Sequence, residues 1–258
     1  MPNGGFGGAS SPELKLRYKR VLLKLSGEVL AGPERFGLDF QSVERIGTEL
    51  AEVHGAGVEL SLVIGGGNIL RGREIQKLGI GRAQADYMGM LGTVINALAL
   101  QDVLEKLGVP VRVQTAIEMR DVAEHYVRRR ALHHLEKGRV LIFAAGTGHP
   151  FFSTDTTAAL RAAEVGADCM VKGTKVDGIY DCDPKTHPEA RFLPRLTYTE
   201  ALQRDIEVMD ASAFSLCREN RIPILVLNIQ RPGCLAGALV RDEPVGTVVE
   251  ERTSDLSS

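Results

Sequence analysis

The sequence predicts an α/β fold in which parallel strands are covered by helices on both faces. Three observations carry that expectation. Short apolar runs at Lys19–Leu25, Val58–Ile64, Val111–Gln114, Val140–Ala145, Cys169–Val171 and Ile224–Leu227 alternate with segments of helical period, an order that favours parallel pairing through crossover helices. The chain has 258 residues and is 44% hydrophobic, enough for one large core or two modest ones. No repeat, low-complexity linker or composition shift divides it. Residues 18–250 therefore read as one two-lobed domain, between a flexible N-terminal tail at 1–17 and a C-terminal tail at 251–258.

Composition narrows the function classes. The formal charge is -2, so no basic excess points to nucleic acid, and Arg128-Arg129-Arg130 sits in a helical pattern that reads as a solvated face. Cys169, Cys182, Cys217 and Cys234 are scattered without a CxxC pair, which fits reduced thiols and a cytoplasmic protein. The first 17 residues lack the apolar core of a secretory leader, and no apolar run approaches membrane-spanning length.

The first strand, Lys19–Leu25, is apolar inside except for Lys24 and ends at Ser26-Gly27-Glu28. A lysine there faces the sheet edge where ligands collect in α/β folds, unless its stem merely snorkels to water. Gly32–Gly37, reading G-P-E-R-F-G, is turn chemistry. Asp39 can cap a helix carrying Val43, Ile46, Leu50 and Val53, which Gly55 and Gly57 stop. The second strand, Val58–Ile64, ends in Gly65-Gly66-Gly67-Asn68 with Arg71 and Arg73 beyond. Glycines after a strand, followed by a helix start, can form an anion nest for phosphate; the alternative is a flexible turn. Neither GxGxxG nor a P-loop occurs, so a nucleotide site here is built differently.

A helical pattern over Ala83–Leu107 carries Tyr87, Met90, Leu91, Val94, Ile95 and Leu98 as an expected buried stripe, with Asp86 near its start as a ligand group or a complement to the macrodipole. A strand at Val111–Gln114, a helix near Asp121–Glu136 and a strand at Val140–Ala145 lead into the stretch Phe143–Thr157. That loop, F-A-A-G-T-G-H-P-F-F-S-T-D-T-T, gathers glycines, hydroxyls and one acid, Asp155, between a strand and a helix capped by Ser153 or Thr154. It is an active-site candidate or a capped connector. Beyond the strand at Cys169, the polar stretch Lys172–Pro184 is either a nucleoside site, with Tyr180 stacking on a base and Asp183 bonding a ribose, or a solvated hairpin around Asp177-Gly178. Asp210 caps a helix through Asn220, and strands follow at Ile224–Leu227 and Gly246–Val249.

Five motifs in order resemble one family: K-L-S-G-E at Lys24–Glu28, V-I-G-G-G-N with L-R-G ending at Gly72, D-Y-M-G-M-L at Asp86–Leu91, G-T-G-H-P-F-F-S-T-D, and T-K-V-D-G-I-Y. They are similar to the bacterial uridylate kinases of the amino acid kinase family, over about Lys19–Glu250. The resemblance implies a three-layer α/β/α sandwich around a mainly parallel sheet, a homohexamer, and transfer of phosphate from ATP, with its Mg²⁺, to UMP. It implies ATP contacts at Lys24, Leu25, Ser26, Gly27, Gly67, Arg71, Thr174, Tyr180 and Asp183. UMP contacts are implied at Gly66, Asp86, Thr147, Gly148, His149, Pro150, Phe151, Phe152, Ser153 and Thr154. His149 stands where the family often has asparagine; both can donate and accept. GTP and UTP are implied as effectors, with Gly32, Pro33, Glu34, Arg35, Phe36 and Gly37 as the GTP segment. No nucleic acid, membrane or protein-held metal is expected.

The chemistry this implies is phosphoryl transfer, which needs an in-line acceptor and positive charge on the transferred group. Lys24 and the Gly65–Gly67 amides supply charge, Asp155 orients Lys24, and a phosphate acceptor, already mostly a dianion at neutral pH, needs no general base. Two rivals would share part of this set: another amino acid kinase making an acyl phosphate keeps Lys24 and the glycine nest but needs a carboxylate-acceptor site, and a non-catalytic nucleotide-binding or storage protein of the same fold keeps the ATP residues without the acceptor set.

Overall fold

The structure is a computed structural model that describes residues 16–34, 36–70, 79–184 and 186–251. The strands are β1 (Arg20–Leu25), β2 (Glu59–Ile64), β3 (Val111–Thr115), β4 (Glu124–His125), β5 (Val140–Ala144), β6 (Cys169–Thr174), β7 (Ile179–Tyr180), β8 (Phe192–Leu193), β9 (Arg195–Leu196), β10 (Ile224–Asn228) and β11 (Thr247–Val249). Nine of them form one sheet in the order β4-β3-β5-β2-β1-β6-β10-β11-β9, while β7 and β8 pair separately as an antiparallel ribbon. Within the large sheet only the β10–β11 pairing is antiparallel. Such a sheet needs cover on both faces, because its central strands carry apolar side chains on each.

The period of two along β1 divides the cores. Leu23 and Leu25 enter one cluster with Val43 and Ile46 of α1 (Phe40–Gly55), Val94 and Leu100 of α2 (Arg82–Lys106) and Leu235 of α7 (Cys234–Leu239). Leu22 enters the other, with Ala131 of α3 (Arg128–Glu136), Ala158 of α4 (Thr154–Val165), Ala201 of α5 (Tyr198–Gln203) and Ala213 of α6 (Ala211–Glu219). This is a three-layer α/β/α sandwich. Its chain reverses direction around β1, since β2 lies on one side and β6 on the other. In open α/β sheets the carboxyl ends of strands at such a switch point border the ligand crevice.

Two expectations are corrected. The segment expected as one helix over 121–136 is helical only from Arg128, because Glu124 and His125 pair with Gln114 and Thr115 at the sheet edge. Tyr126 holds that turn by packing edge-on against Phe143, with ring centroids 5.6 Å apart. In α2 the expected buried stripe splits. Met90 and Val94 are buried with Ala97 and Leu100, whereas Tyr87, Leu91, Ile95 and Leu98 are 36–48% exposed. A helix apolar on two sides can turn only one to the sheet. By length and composition alone α2 could cross a membrane, but its inner side is part of the core.

That division makes a stability prediction. Leu100→Ala, at a fully buried site, should cost about 2–5 kcal/mol in urea unfolding. Ile95→Ala, at a half-exposed site, should cost under about 1 kcal/mol in dilute solution. Equal losses for the two variants in dilute solution would contradict the assignment of faces.

Candidate active site

The parallel register of β1 and β6 sets Lys24 directly beside Lys172. Both side chains leave the sheet on the face of Leu22 and Met170, and both reach the carboxylate of Asp155 in the first turn of α4. Lys24 Nζ lies 2.8 Å from Oδ1 and Lys172 Nζ 2.7 Å from Oδ2. Lys172 also donates to the Val208 carbonyl at 2.8 Å. The three side chains are only 13–17% exposed, so the ions are substantially shielded from water. Burial alone would raise the Asp155 carboxyl, but the Lys24 and Lys172 ammonium groups outweigh it and hold the carboxyl below the usual aspartate range. Burial lowers Lys172, against the pull of Asp155 and with the help of repulsion from Lys24.

Beside this triad the turns after β1 and β2 press together. Ser26 caps a short 3-10 turn at Gly27–Leu30. A Cβ at Gly27 would collide with the Gly65 carbonyl and with Asn68 Oδ1, and one at Gly66 with the Gly89 carbonyl of α2. Gly67 meets nothing within 4 Å and lines a cavity of about 330 Å³ with Gly66, Asp86, Thr147, Phe152 and Thr154. The cavity mouth is the loop 145–153. Phe151 there has φ +74°, and its N–H donates to Asp86 Oδ2 at 2.8 Å. Arg82 lies 3.6 Å from the same oxygen and over the Phe151 ring. Ser153 caps α4 and also donates to Asp210, which in turn caps α6 and accepts from Thr156 at 2.9 Å. Burial raises the Asp210 carboxyl, but the donors Ser153, Ala213 N–H and Thr156 bring it below its ordinary value.

The expected residues therefore fall into separate groups. Lys24, Asp155, Gly27, Gly66, Gly67, Asp86, Thr147 and Ser153–Thr154 converge on the triad and cavity. Gly148, His149 and Pro150 form the outer part of the loop, where His149 Nδ1 sits 3.1 Å from the Thr147 carbonyl. Leu25 is the exception within the first strand: its side chain is fully buried in the core opposite Lys24, so it offers the site only its backbone, whose carbonyl accepts from Gly65. Thr174 ends β6, and Tyr180 lies elsewhere, lining a second cavity of about 420 Å³ with Asp177, Phe192 and Arg231. Asp183 starts a turn that bonds Thr186 and His187. Gly32–Glu34 form a short 3-10 turn on the α1 cap, and Phe36 is exposed. Arg71 and Arg35 lie outside the described residues.

Lys172 was expected only as the start of the polar loop after Val171, but β6 runs on to Thr174 and carries it beside Lys24; Asn96 had no part in the sequence expectations. Lys172 ends an apolar Cys-Met-Val run much as Lys24 follows Val-Leu-Leu, and that parallel was the signal available.

Comparison with known proteins follows the same outline. The model of the amino acid kinase family matches residues 19–228. The UMP kinase from Bacillus anthracis is 39% identical, with a TM-score of 0.88 over 92% of this chain and 97% of its own. The UMP kinase from Ureaplasma parvum is 37% identical, with a TM-score of 0.86 over 91% and 100%. The uridylate kinase from Archaeoglobus fulgidus is 26% identical, with a TM-score of 0.69 over 89% and 99%.

The triad makes a prediction independent of activity. Asp155→Asn leaves two ammonium groups facing each other and should destabilise the fold by about 3–5 kcal/mol at pH 7. Because the Asp155 carboxyl is held low, its stabilisation is fully present above about pH 3.9 and is lost as pH falls through its lower folded pKa. The gap between wild type and variant in thermal or urea unfolding should therefore close on acidification; a gap constant from pH 7 to pH 2 would contradict the ion pairing.

Proposed function

The chain belongs to the amino acid kinase family, and on that premise we propose that it is a UMP kinase, transferring the γ-phosphoryl group of ATP to UMP. The observation that carries the reading is the meeting of Lys24 and Lys172 on Asp155 beside a cavity lined by a glycine turn and Asp86. Of the three expected glycine amides the Gly65 N–H is already given to the Leu25 carbonyl, so two ammonium groups with the N–H groups of Gly66 and Gly67 are what suit a phosphoryl group in transfer. The cavity, lined by the Asp86 carboxylate and by Thr147, Ser153 and Thr154, suits a nucleoside monophosphate better than a small carboxylic acid.

In this reading the acceptor phosphate oxygen attacks the γ-phosphorus as the bond to the bridging oxygen breaks and ADP leaves. The second pKa of a phosphate monoester is about 6, so the acceptor arrives largely as a dianion and no side chain has to take its proton. Lys24 and Lys172 offset the charge spread over the transferred oxygens. Asp155 keeps both ammonium groups aimed at one point. Asp86 holds the loop through one carboxylate oxygen and offers the other to the ribose hydroxyls. Thr174, Tyr180 and Asp183 take the ATP nucleoside. Mg²⁺, when bound with the nucleotide, supplies further positive charge to the phosphates. The residues present fit an ion carried by ATP, since the donors at the site are ammonium and N–H groups and the Asp155 carboxylate is already paired with both lysines. Self-association, as a homohexamer, would cover the exposed face of α2.

A coupled assay of ADP release with UMP, deoxy-UMP, CMP, glutamate and acetylglutamate tests the assignment. UMP should be preferred and deoxy-UMP should be slower. Lys24→Ala should lose on the order of 10²–10³ in kcat with little change in nucleotide affinity. Turnover of an amino acid in place of UMP would overturn the substrate class, and a Lys24→Ala variant close to wild type would remove that lysine from catalysis. We also propose GTP as activator and UTP as inhibitor, with the 32–37 turn as the GTP contact. Rates across a GTP titration at fixed UTP should rise in the wild type and rise less in Arg35→Ala; identical responses would exclude the turn.

A further inference from the structure

We infer that Asn68 and Asn96 are positioning residues for the phosphate-facing turns and that they couple those turns to the one ending at Gly37. The coupling stands on geometry alone, while its effect on turnover rests on the kinase reading above.

Both asparagines are fully buried. Asn68 follows the three glycines directly, and Asn96 projects from the inner side of α2. Their amides bond reciprocally, Asn68 Nδ2 to Asn96 Oδ1 at 2.9 Å and Asn96 Nδ2 to Asn68 Oδ1 at 2.7 Å. Each amide nitrogen has one hydrogen left. Asn96 gives its own to the Gly65 carbonyl at 2.8 Å, and Asn68 gives its own to the Gly37 carbonyl at 2.7 Å. All four N–H groups are thus used, which fixes both amide orientations, because flipping either would set NH₂ against NH₂. The Gly37 N–H returns a bond to the Asn68 carbonyl at 2.8 Å, so the two backbones are tied twice. Gly27 seats on the same pair, where any Cβ would strike Asn68 Oδ1.

The pair reaches the chemistry through a single peptide unit. The Gly65 carbonyl and the Gly66 N–H belong to one planar trans group and point in opposite directions. Drawing that carbonyl onto Asn96 turns the Gly66 N–H away from the pair, and Gly66 lines the cavity. A buried pair kept only for packing could be replaced by apolar groups of similar shape at little cost. This one gives its spare hydrogens to the backbone of two different turns, so the two amides link Gly37 to Gly65 in addition to the chain that joins Gly65 to Asn68.

The test is amide hydrogen exchange combined with kinetics on Asn96→Ala. Asn96 bonds to Asn68 and Gly65, whereas Gly37 bonds to Asn68. Coupling predicts that the Gly37 amide exchanges about tenfold faster in the variant, while the Gly57 amide, bonded to the His54 carbonyl beyond α1, is unchanged. Turnover should fall on the order of 10²-fold in kcat with KM for UMP within about threefold, the signature of lost positioning in a folded enzyme. Unchanged Gly37 exchange, an equal rise at Gly57, or an unchanged kcat overturns the proposal. If Asn96→Ala does not fold, the wild type decides: a non-hydrolysable ATP analogue with Mg²⁺ should slow Gly37 exchange relative to Gly57, and no difference between the two overturns it. A wild type that phosphorylates no UMP would defeat the kinase reading, and the Asn96→Ala exchange result would then judge the coupling alone.

Discussion

The site depends on one carboxylate. Parallel pairing of β1 with β6 forces two lysines side by side on the same face of the sheet, and without Asp155 their charges would repel in a setting that water reaches poorly. The counter-ion has to come from the layer above, so the first turn of α4 is fixed over the ends of these strands. Everything that fixes α4 then serves the charge pairing. Ser153 closes its N-terminus, Asp210 ties that cap to α6, and the left-handed Gly166 ends the helix. The loop 145–153 hangs between β5 and this anchored cap, which is why the cavity it borders lies next to the lysines.

Close approach is the second constraint. The turns after β1 and β2 touch because Gly27 and Gly66 present no Cβ to the neighbouring carbonyls. Two turns pressed together this way shield backbone groups from solvent, and Asn96 takes up the Gly65 carbonyl while its partner Asn68 reaches the Gly37 carbonyl of a third turn. Buried amides are costly when partly satisfied and rigid when fully satisfied, and here every amide hydrogen has an acceptor.

How far the sequence could be read follows from which signals are local. The strand-helix alternation and caps such as Asp39 and Asp210 depend on a few adjacent residues, and they appear in the structure at nearly the expected positions. Lys24 and Asp155 stood out because each interrupts a pattern of another kind. Lys172 did not, since its meaning comes from strand register, which joins residues far apart in the chain. Asn96 was hidden in a helix whose period says that an apolar face exists but not which of two faces meets the sheet, the same ambiguity that put Tyr87, Leu91, Ile95 and Leu98 in the core. Glu124 and His125 were read as helix because short edge pairing leaves almost no periodic trace.

The loop 145–153 shows why α2 has to be rigid. Ala145 and Phe151 both hold positive φ, a conformation that costs non-glycine residues on the order of 1–3 kcal/mol each. Each is held by a bond from its own N–H to α2: Ala145 to Thr93 Oγ1 at 2.7 Å, and Phe151 to Asp86 Oδ2 at 2.8 Å. Asn96, three residues beyond Thr93, holds the Gly65 carbonyl from the same helix. Asp86, Thr93 and Asn96 are spaced seven and three apart, close enough to one helical stripe to face the strand ends together. One helix thus fixes the strained loop on one side of the cavity and the glycine turn on the other. Its buried residues Val94, Ala97 and Leu100 in turn fix the helix to the core, so the width of the cavity is set by packing rather than by the loop's own preferences.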